Sequence, residues 1–165
     1  DPSRDCKIRP MVTTFEGKPG GRGKKIGIVV AKFNGFVTRR LLDGCLKELF
    51  THGVRKSDIT VARVPGSLEI PLVALRLAKR KNIQAVICLG AVIRGETLHF
   101  DLVAKGAANG IAHAALASGK PVIFGVLATE TIEQANKRSD EKKDNKGRDA
   151  AVDALEMIDL MARIK

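Results

Sequence analysis

The residues best able to do chemistry cluster in one decapeptide, Gly90-Ala91-Val92-Ile93-Arg94-Gly95-Glu96-Thr97-Leu98-His99. Gly95 frees the backbone for close approach, and Glu96 and Thr97 stand just before an alanine-rich stretch of helical character. Backbone amides at a helix start, with the Thr97 hydroxyl beside them, make an anion site. The plainer alternative is that Thr97 only caps the helix. His99 stands at the same helix start, and a histidine is the usual proton-transfer group near neutral pH. A single histidine is a weak sign by itself. Of the other two, His52 precedes Gly53 at a helix end, where a cation is favoured structurally, and His113 falls mid-helix.

Other candidates are spread along the chain. Phe33 sits in a Lys-Phe-Asn-Gly turn, poorly placed for a core and well placed to stack on a flat heterocycle. Glu69 follows the turn Pro65-Gly66-Ser67, where its carboxylate would accept hydrogen bonds from hydroxyls or simply favour a helix N-terminus. Arg138, Lys142 and Lys146 supply cations late in the chain. An arginine grips phosphate through two parallel bonds and a lysine acts as a point charge. A solvated basic linker would look the same, and explains Lys143.

Several chemistries are excluded. The glycine- and lysine-rich stretch 17–25 does not match a P-loop and precedes a strand instead of following one. There is no GxSxG elbow, HExxH pair, clustered metal ligand set or dinucleotide fingerprint after the first strand. Cys6, Cys45 and Cys88 are odd in number and widely spaced, which argues against a disulfide framework and for a reducing compartment, the cytoplasm. No apolar run is long enough to span a bilayer, so no membrane partner is expected. The net charge of +11 favours anionic partners, but the basic residues are scattered without aromatic interleaving, so nucleic acid is not expected. The chain opens on Asp1, not methionine, so a trimmed N-terminus is expected, with room for a lost organelle-targeting segment.

Something must hold these groups together. Residues 1–24, with Pro10, Pro19 and a glycine-rich stretch, read as an arm with an edge strand near 11–15; residues 25–165 read as one domain. Within the domain, strands are expected at 26–31, 59–64, 85–89 and 122–127, each followed by a helical pattern. The helices fall at about 37–50, 68–79, 100–117 and 131–138. Pro71 is tolerable in the first turn of the second. A loop is expected at 90–98 and a polar linker at 139–147. A final amphipathic helix is marked by Val152, Leu155, Met157, Ile158 and Met161. Repeated strand–helix alternation gives a three-layer α/β/α sandwich around a four-stranded parallel sheet. Ligands of such sheets bind at the carboxyl ends of the strands. That rule nominates Phe33-Asn34, residues 64–69, residues 90–99 and Thr129-Glu130 as one crevice for a small phosphorylated substrate.

The same segments, in this order, resemble the 6,7-dimethyl-8-ribityllumazine synthase family. The likeness is carried by Val29-Val30-Ala31-Lys32-Phe33-Asn34 with Val37-Thr38, by Val64-Pro65-Gly66-Ser67-Leu68-Glu69-Ile70-Pro71, and by Leu89 to Thr97 with His99-Phe100-Asp101. Phe124-Gly125-Val126-Leu127, Glu133-Gln134-Ala135 with Arg138, Asn145-Lys146-Gly147 and Glu156-Met157 complete it. The resemblance implies a flavodoxin-like fold and a condensation without redox cofactor or metal. 5-Amino-6-(ribitylamino)uracil would join 3,4-dihydroxy-2-butanone 4-phosphate, with loss of phosphate and water. By this likeness Phe33 stacks on the pyrimidine, and Asn34, Ser67 and Glu69 contact the ring or ribityl chain. Gly66, Leu68, Ala91, Val92 and Ile93 would line the same site. Glu96 and Thr97 would line the phosphate site with Arg138, and His99 would shuttle protons, making His99 and Arg138 the catalytic pair. The resemblance also implies a homopentamer, in which Phe124, Arg138 and Lys146 complete a neighbouring copy's site. Pentamers of the family stand alone, pair as decamers or build an icosahedral 60-mer, and the short linker permits the shell. Leu68, where relatives often carry an aromatic, and Ser139-Asp140-Glu141, where they carry a small turn, depart from the pattern. Three rival readings are a non-catalytic flavin or lumazine binder, a riboflavin synthase of the archaeal type and a basic nucleic-acid-binding module.

Overall fold

The β-branched run Ile26–Ala31 is buried along its whole length, as only a central strand of a covered sheet can be. It forms β1 of a computed structural model that describes residues 12–164. The helix α1 (Gly35–Thr51) follows, then β2 (Ile59–Val64), α2 (Ile70–Ala78), β3 (Ala85–Ile93) and α3 (His99–Ser118). The chain continues through β4 (Val122–Thr129), α4 (Ile132–Lys137) and α5 (Lys146–Arg163). Short 3-10 turns at Lys56–Asp58 and Ser67–Glu69 lead into β2 and α2. The sheet is four-stranded in the order β2-β1-β3-β4, and every pairing is parallel. The expected three-layer arrangement is present.

Alternation along the strands divides the core in two. Ile26, Ile28, Val30, Ile87 and Leu89 pack with Leu41, Cys45 and Leu49 of α1 and Leu155 and Ile158 of α5. Val29, Val86, Cys88 and Val126 face the other way, onto Ile70 and Ala74 of α2 and Ile111 and Ala114 of α3. Each fully buried Ile or Leu stabilises by roughly 1.5–3 kcal/mol. Burial in these two layers therefore stabilises the sheet far more than exposed ion pairs do. Cys45 and Cys88 behave as small buried hydrophobes, and burial pushes both thiols up. Cys6 lies outside the described residues.

Four features differ from expectation. β3 continues past Leu89 to Ile93, because β4 runs to Thr129 and pairs with it through Ile93 opposite Thr129. Residues 90–93 are therefore strand, and the loop shrinks to 94–98. α2 begins at Ile70, after the 3-10 turn, with Pro71 in its first turn. In α5 the buried face is Ala150, Ala151, Ala154, Leu155 and Ile158, whereas Met157 and Met161 point outward. No strand forms at residues 12–15, and Met11 lies outside the described residues. The arm runs along α5 instead: Lys18 N donates to Asp159 Oδ2 at 2.7 Å, and Gly17 approaches so closely that a Cβ would strike the Glu156 carbonyl.

Candidate functional site

Parallel strands deliver their carboxyl ends to one edge, and there β1, β2 and β3 open into a cavity of about 450 Å3. Its walls include Phe33, Asn34, Pro65, Gly66, Ser67, Leu68 and Glu69 on one side and Val92, Ile93, Gly95, Thr97, His99, Phe100 and Val103 on the other.

The first wall is fixed by an extension of sheet pairing beyond the strands. Lys32 N donates to the Val64 carbonyl at 2.8 Å and Phe33 N to the Pro65 carbonyl at 3.0 Å. The Phe33 ring, 69% exposed, is therefore held beside the Pro65-Gly66 turn with a free face. Asn34 adopts the left-handed conformation (φ 56°) that asparagine tolerates better than most residues. Its Nδ2 donates to the Ala91 carbonyl at 2.8 Å, tying the end of β1 to β3. Ser67 is buried against Gly90, where an added Cβ would come within 2.5 Å of Ser67 Oγ. Gly90 is thus the space that lets the turn approach β3. Leu68 rests on Gly106 of α3, which would clash with Leu68 if it carried a Cβ.

The second wall is the 94–98 loop and the start of α3. The Thr97 hydroxyl accepts the His99 N–H at 3.3 Å, while Leu98 occupies the N-cap position without a side-chain cap. Thr97 therefore supports the helix start from one residue before the expected place, with its hydroxyl at the cavity. His99 and Val103, four apart, project from one face of α3, and Phe100 follows within the first turn. Arg94 stands outside the cavity and gathers the loop. Its Nε donates to Glu130 Oε2 at 2.6 Å, and Nη1 and Nη2 reach Asp101 at 3.4 and 3.5 Å. The guanidinium lies 4.3 Å from the Phe100 ring centroid. The hydrogen bond to Glu130, then that to Asp101, pushes the Arg94 pKa up.

The profile of the 6,7-dimethyl-8-ribityllumazine synthase family matches residues 23–162. A protein of that name from Lactiplantibacillus plantarum is 52% identical over 153 residues, covering 93% of this chain and 96% of its own. One from Syntrophus aciditrophicus is 52% identical over 154 residues, covering 93% of this chain and all of its own (100%). The chain belongs to the 6,7-dimethyl-8-ribityllumazine synthase family.

Within this lumazine synthase chain, the other expected site residues lie off the cavity. Ala91 is buried in β3, outside the cavity wall, and its carbonyl accepts from Asn34 Nδ2. Glu96 is exposed in the loop but is not part of the wall. Phe124, 39% exposed, borders a second hollow with Val122, Ile123, Asp153, Glu156 and Met157. Arg138 caps the end of α4 and pairs through Nε with Asp144 Oδ2 at 2.8 Å. Lys146 opens α5, where its backbone N–H donates to the Arg138 carbonyl at 2.9 Å. The turn between them is pinned by Arg40 of α1, which bonds Ser139 Oγ at 3.1 Å and Asn136 Oδ1 at 2.5 Å. Pro65 and Gly95 line the cavity from within the segments nominated for the crevice, whereas Phe100 and Val103 lie beyond those segments and line it as well. For Val103 the available signal was helical spacing from His99, while Phe100 simply follows it in the first turn. His52 pairs with Glu48 at 3.0 Å and His113 is exposed on α3, so neither belongs to the site.

Among the described residues no three His, Cys, Asp or Glu side chains converge as a metal set. No helix among them is long and apolar enough to cross a membrane.

Proposed function

We propose that the cavity binds 5-amino-6-(ribitylamino)uracil against Phe33 and 3,4-dihydroxy-2-butanone 4-phosphate toward Thr97 and His99. It joins them into 6,7-dimethyl-8-ribityllumazine with release of phosphate and water, a step of riboflavin biosynthesis. One observation carries this reading: Phe33, Thr97 and His99, distant in sequence, border a single cavity of about 450 Å3, ample for two small substrates.

The 5-amino nitrogen attacks the ketone carbon, and the oxygen leaves as water to give an imine. A proton leaves the adjacent carbon as the C–O bond to phosphate breaks. The resulting enol returns to a ketone, which the ribitylamino nitrogen attacks with loss of a second water. Each stage moves a proton, and we assign that transfer to the His99 imidazole, which lines the cavity. Ser67 and Glu69 would hold ring and ribityl polar groups, with Gly66, Leu68, Val92 and Ile93 enclosing them. The larger share of the acceleration comes from holding two reactants in contact.

A phosphate calls for a cation, and Arg138, Lys146 and Phe124 lie elsewhere on this chain. We infer that a second copy presents them, with Glu96 facing the same phosphate, in a homopentamer that stands alone or assembles further into a decamer or 60-mer. Light scattering distinguishes these, since pentamer and shell differ about twelvefold in mass. Exposed apolar side chains off the cavity, among them Leu72, Leu102, Leu116 and Met161, support association. Buried unpaired cysteines suit a reducing compartment, and we assign the enzyme to the cytoplasm.

The test is to mix both substrates and follow the lumazine chromophore with phosphate release. Equal appearance of the two supports the reading, and no chromophore refutes it. Supplying lumazine alone should yield no riboflavin; riboflavin would favour the riboflavin synthase alternative.

A further inference from the structure

The loop 94–98 bears the Thr97 hydroxyl and leads into His99, yet little packs on it. Every residue from Arg94 to His99 is exposed, and a Cβ on Gly95 would meet nothing within 4 Å. A loop in open space does not keep a hydroxyl and an imidazole in register unless something fastens it. Among the described residues, apart from the Leu98 carbonyl, which accepts the Leu102 N–H of α3 at 3.2 Å, the hydrogen bonds that tie it to the rest of the fold are made by Arg94. Its N–H continues the β3–β4 ladder by donating to the Thr129 carbonyl at 2.9 Å. Its side chain bonds Glu130 just after β4, reaches Asp101 in the first turn of α3, and covers one face of Phe100. Glu130 in turn is held by its own N–H, which donates to Gln134 Oε1 at 2.8 Å.

We propose that Arg94 is a positioning residue for the lumazine synthase reaction, a clamp that sets the 94–98 loop, Phe100 and His99 at the phosphate-bearing end of the cavity. The proposal rests on the function assigned above. The clamp is short toward Glu130 and long toward Asp101, so the end of β4 is its fixed point and α3 the part it steers. Solvent-exposed ion pairs contribute little to global stability. The planar fork and stacked face are what arginine offers and lysine does not. Arg94 therefore serves placement, with little bearing on whether the chain folds.

The experiment compares the parent assembly with Arg94→Gln, Arg94→Lys and Glu130→Gln. Three quantities are read: thermal midpoint, amide hydrogen exchange at residues 95–99, and KM and kcat for each substrate. The expected result is an unchanged midpoint, with exchange in the loop faster by about tenfold. For Arg94→Gln, KM for the phosphorylated ketone rises and kcat falls, each by about tenfold, while KM for the pyrimidine stays within about twofold. Glu130→Gln should follow in weaker form, and Arg94→Lys should recover only part of the loss. Parent-like loop exchange, or faster exchange with unchanged kinetics, overturns the proposal. So does a lowered midpoint with both KM values rising together, which marks a merely structural arginine. A parent protein that makes no lumazine refutes the proposed reaction, and with it any catalytic placement by Arg94; loop exchange then shows whether the clamp exists at all.

Discussion

Two regions hold the residues that the proposed reaction calls on, and they are built differently. At the ends of β1, β2 and β3, Phe33, Ser67, Thr97 and His99 come from separate segments and share one cavity, because parallel strands bring their loops to one edge. At the α4–α5 junction, Arg138 and Lys146 sit on the layer that α5 shares with α1, outside that cavity. The first region offers a ring face, a hydroxyl and an imidazole, and among the described residues no lysine or arginine stands in its wall. The second offers cations, with Arg138 occupied by Asp144. That pair is about half exposed, so it is weak and easily exchanged. Under the proposed function the two regions would be complementary half-sites, each without the other's chemistry.

The comparison can be broken or sharpened by substitutions on either side. His99→Ala should have the largest effect, lowering kcat by about 10²-fold or more with both KM values little changed, as measured by lumazine formation at saturation. Undiminished turnover would remove the proton carrier from the cavity half. Arg138→Ala should act on affinity instead, raising KM for the phosphorylated ketone by about tenfold while the thermal midpoint stays put. Parent-like kinetics would detach Arg138 from the phosphate. Phe33→Leu keeps an apolar side chain and loses the flat face, so KM for the pyrimidine should rise by about three- to tenfold and the ketone be spared. Equal changes for both substrates would show that Phe33 shapes the wall without stacking.

The smallest effect is expected where neither half is touched. Asp159 is held below its usual pKa by the Arg163 side chain first and the Lys18 N–H second. A carboxylate whose folded pKa is depressed adds stability above its unfolded pKa and loses it as pH falls through the folded value. Asp159→Asn should therefore lower the melting temperature slightly at neutral pH, with no difference in strong acid and no change in KM. A kinetic change would mean that the arm along α5 communicates with the site.

Much of this was legible in one dimension. Apolar β-branched runs alternating with helical spacing give the parallel sheet, and the sheet alone nominates the crevice before any motif is read. Phe33 was legible because a ring between Lys and Asn-Gly has no core to enter. The end of β3 was not, because Gly90 reads as a breaker, while its role is to admit Ser67 against the strand. Nor was the Arg94 cluster, whose partners Asp101 and Glu130 meet it only once β4 lies beside β3. Met157 and Met161 fit the helical stripe by type, but the buried face of α5 is chiefly alanine, so close packing on α1 turns both outward. The expected strand at 11–15 does not form over residues 12–15, which pair with no strand among the described residues. Arg138 read as a cation, but its place at the site entered through the family resemblance alone, because on this chain it lies at the α4–α5 junction, off the cavity, and only the proposed second copy would bring it there.

Subunit complementation tests the two-half account most directly. His99→Ala and Arg138→Ala are unfolded together, refolded as a mixture and assayed against each variant refolded alone. In a random ring, a site takes an intact His99 from one copy and an intact Arg138 from its neighbour about a quarter of the time. The account predicts recovery toward about a quarter of parent turnover at low ketone concentration. Activity no greater than the average of the two variants would contradict it, and would leave the cavity of a single chain to find its cation elsewhere.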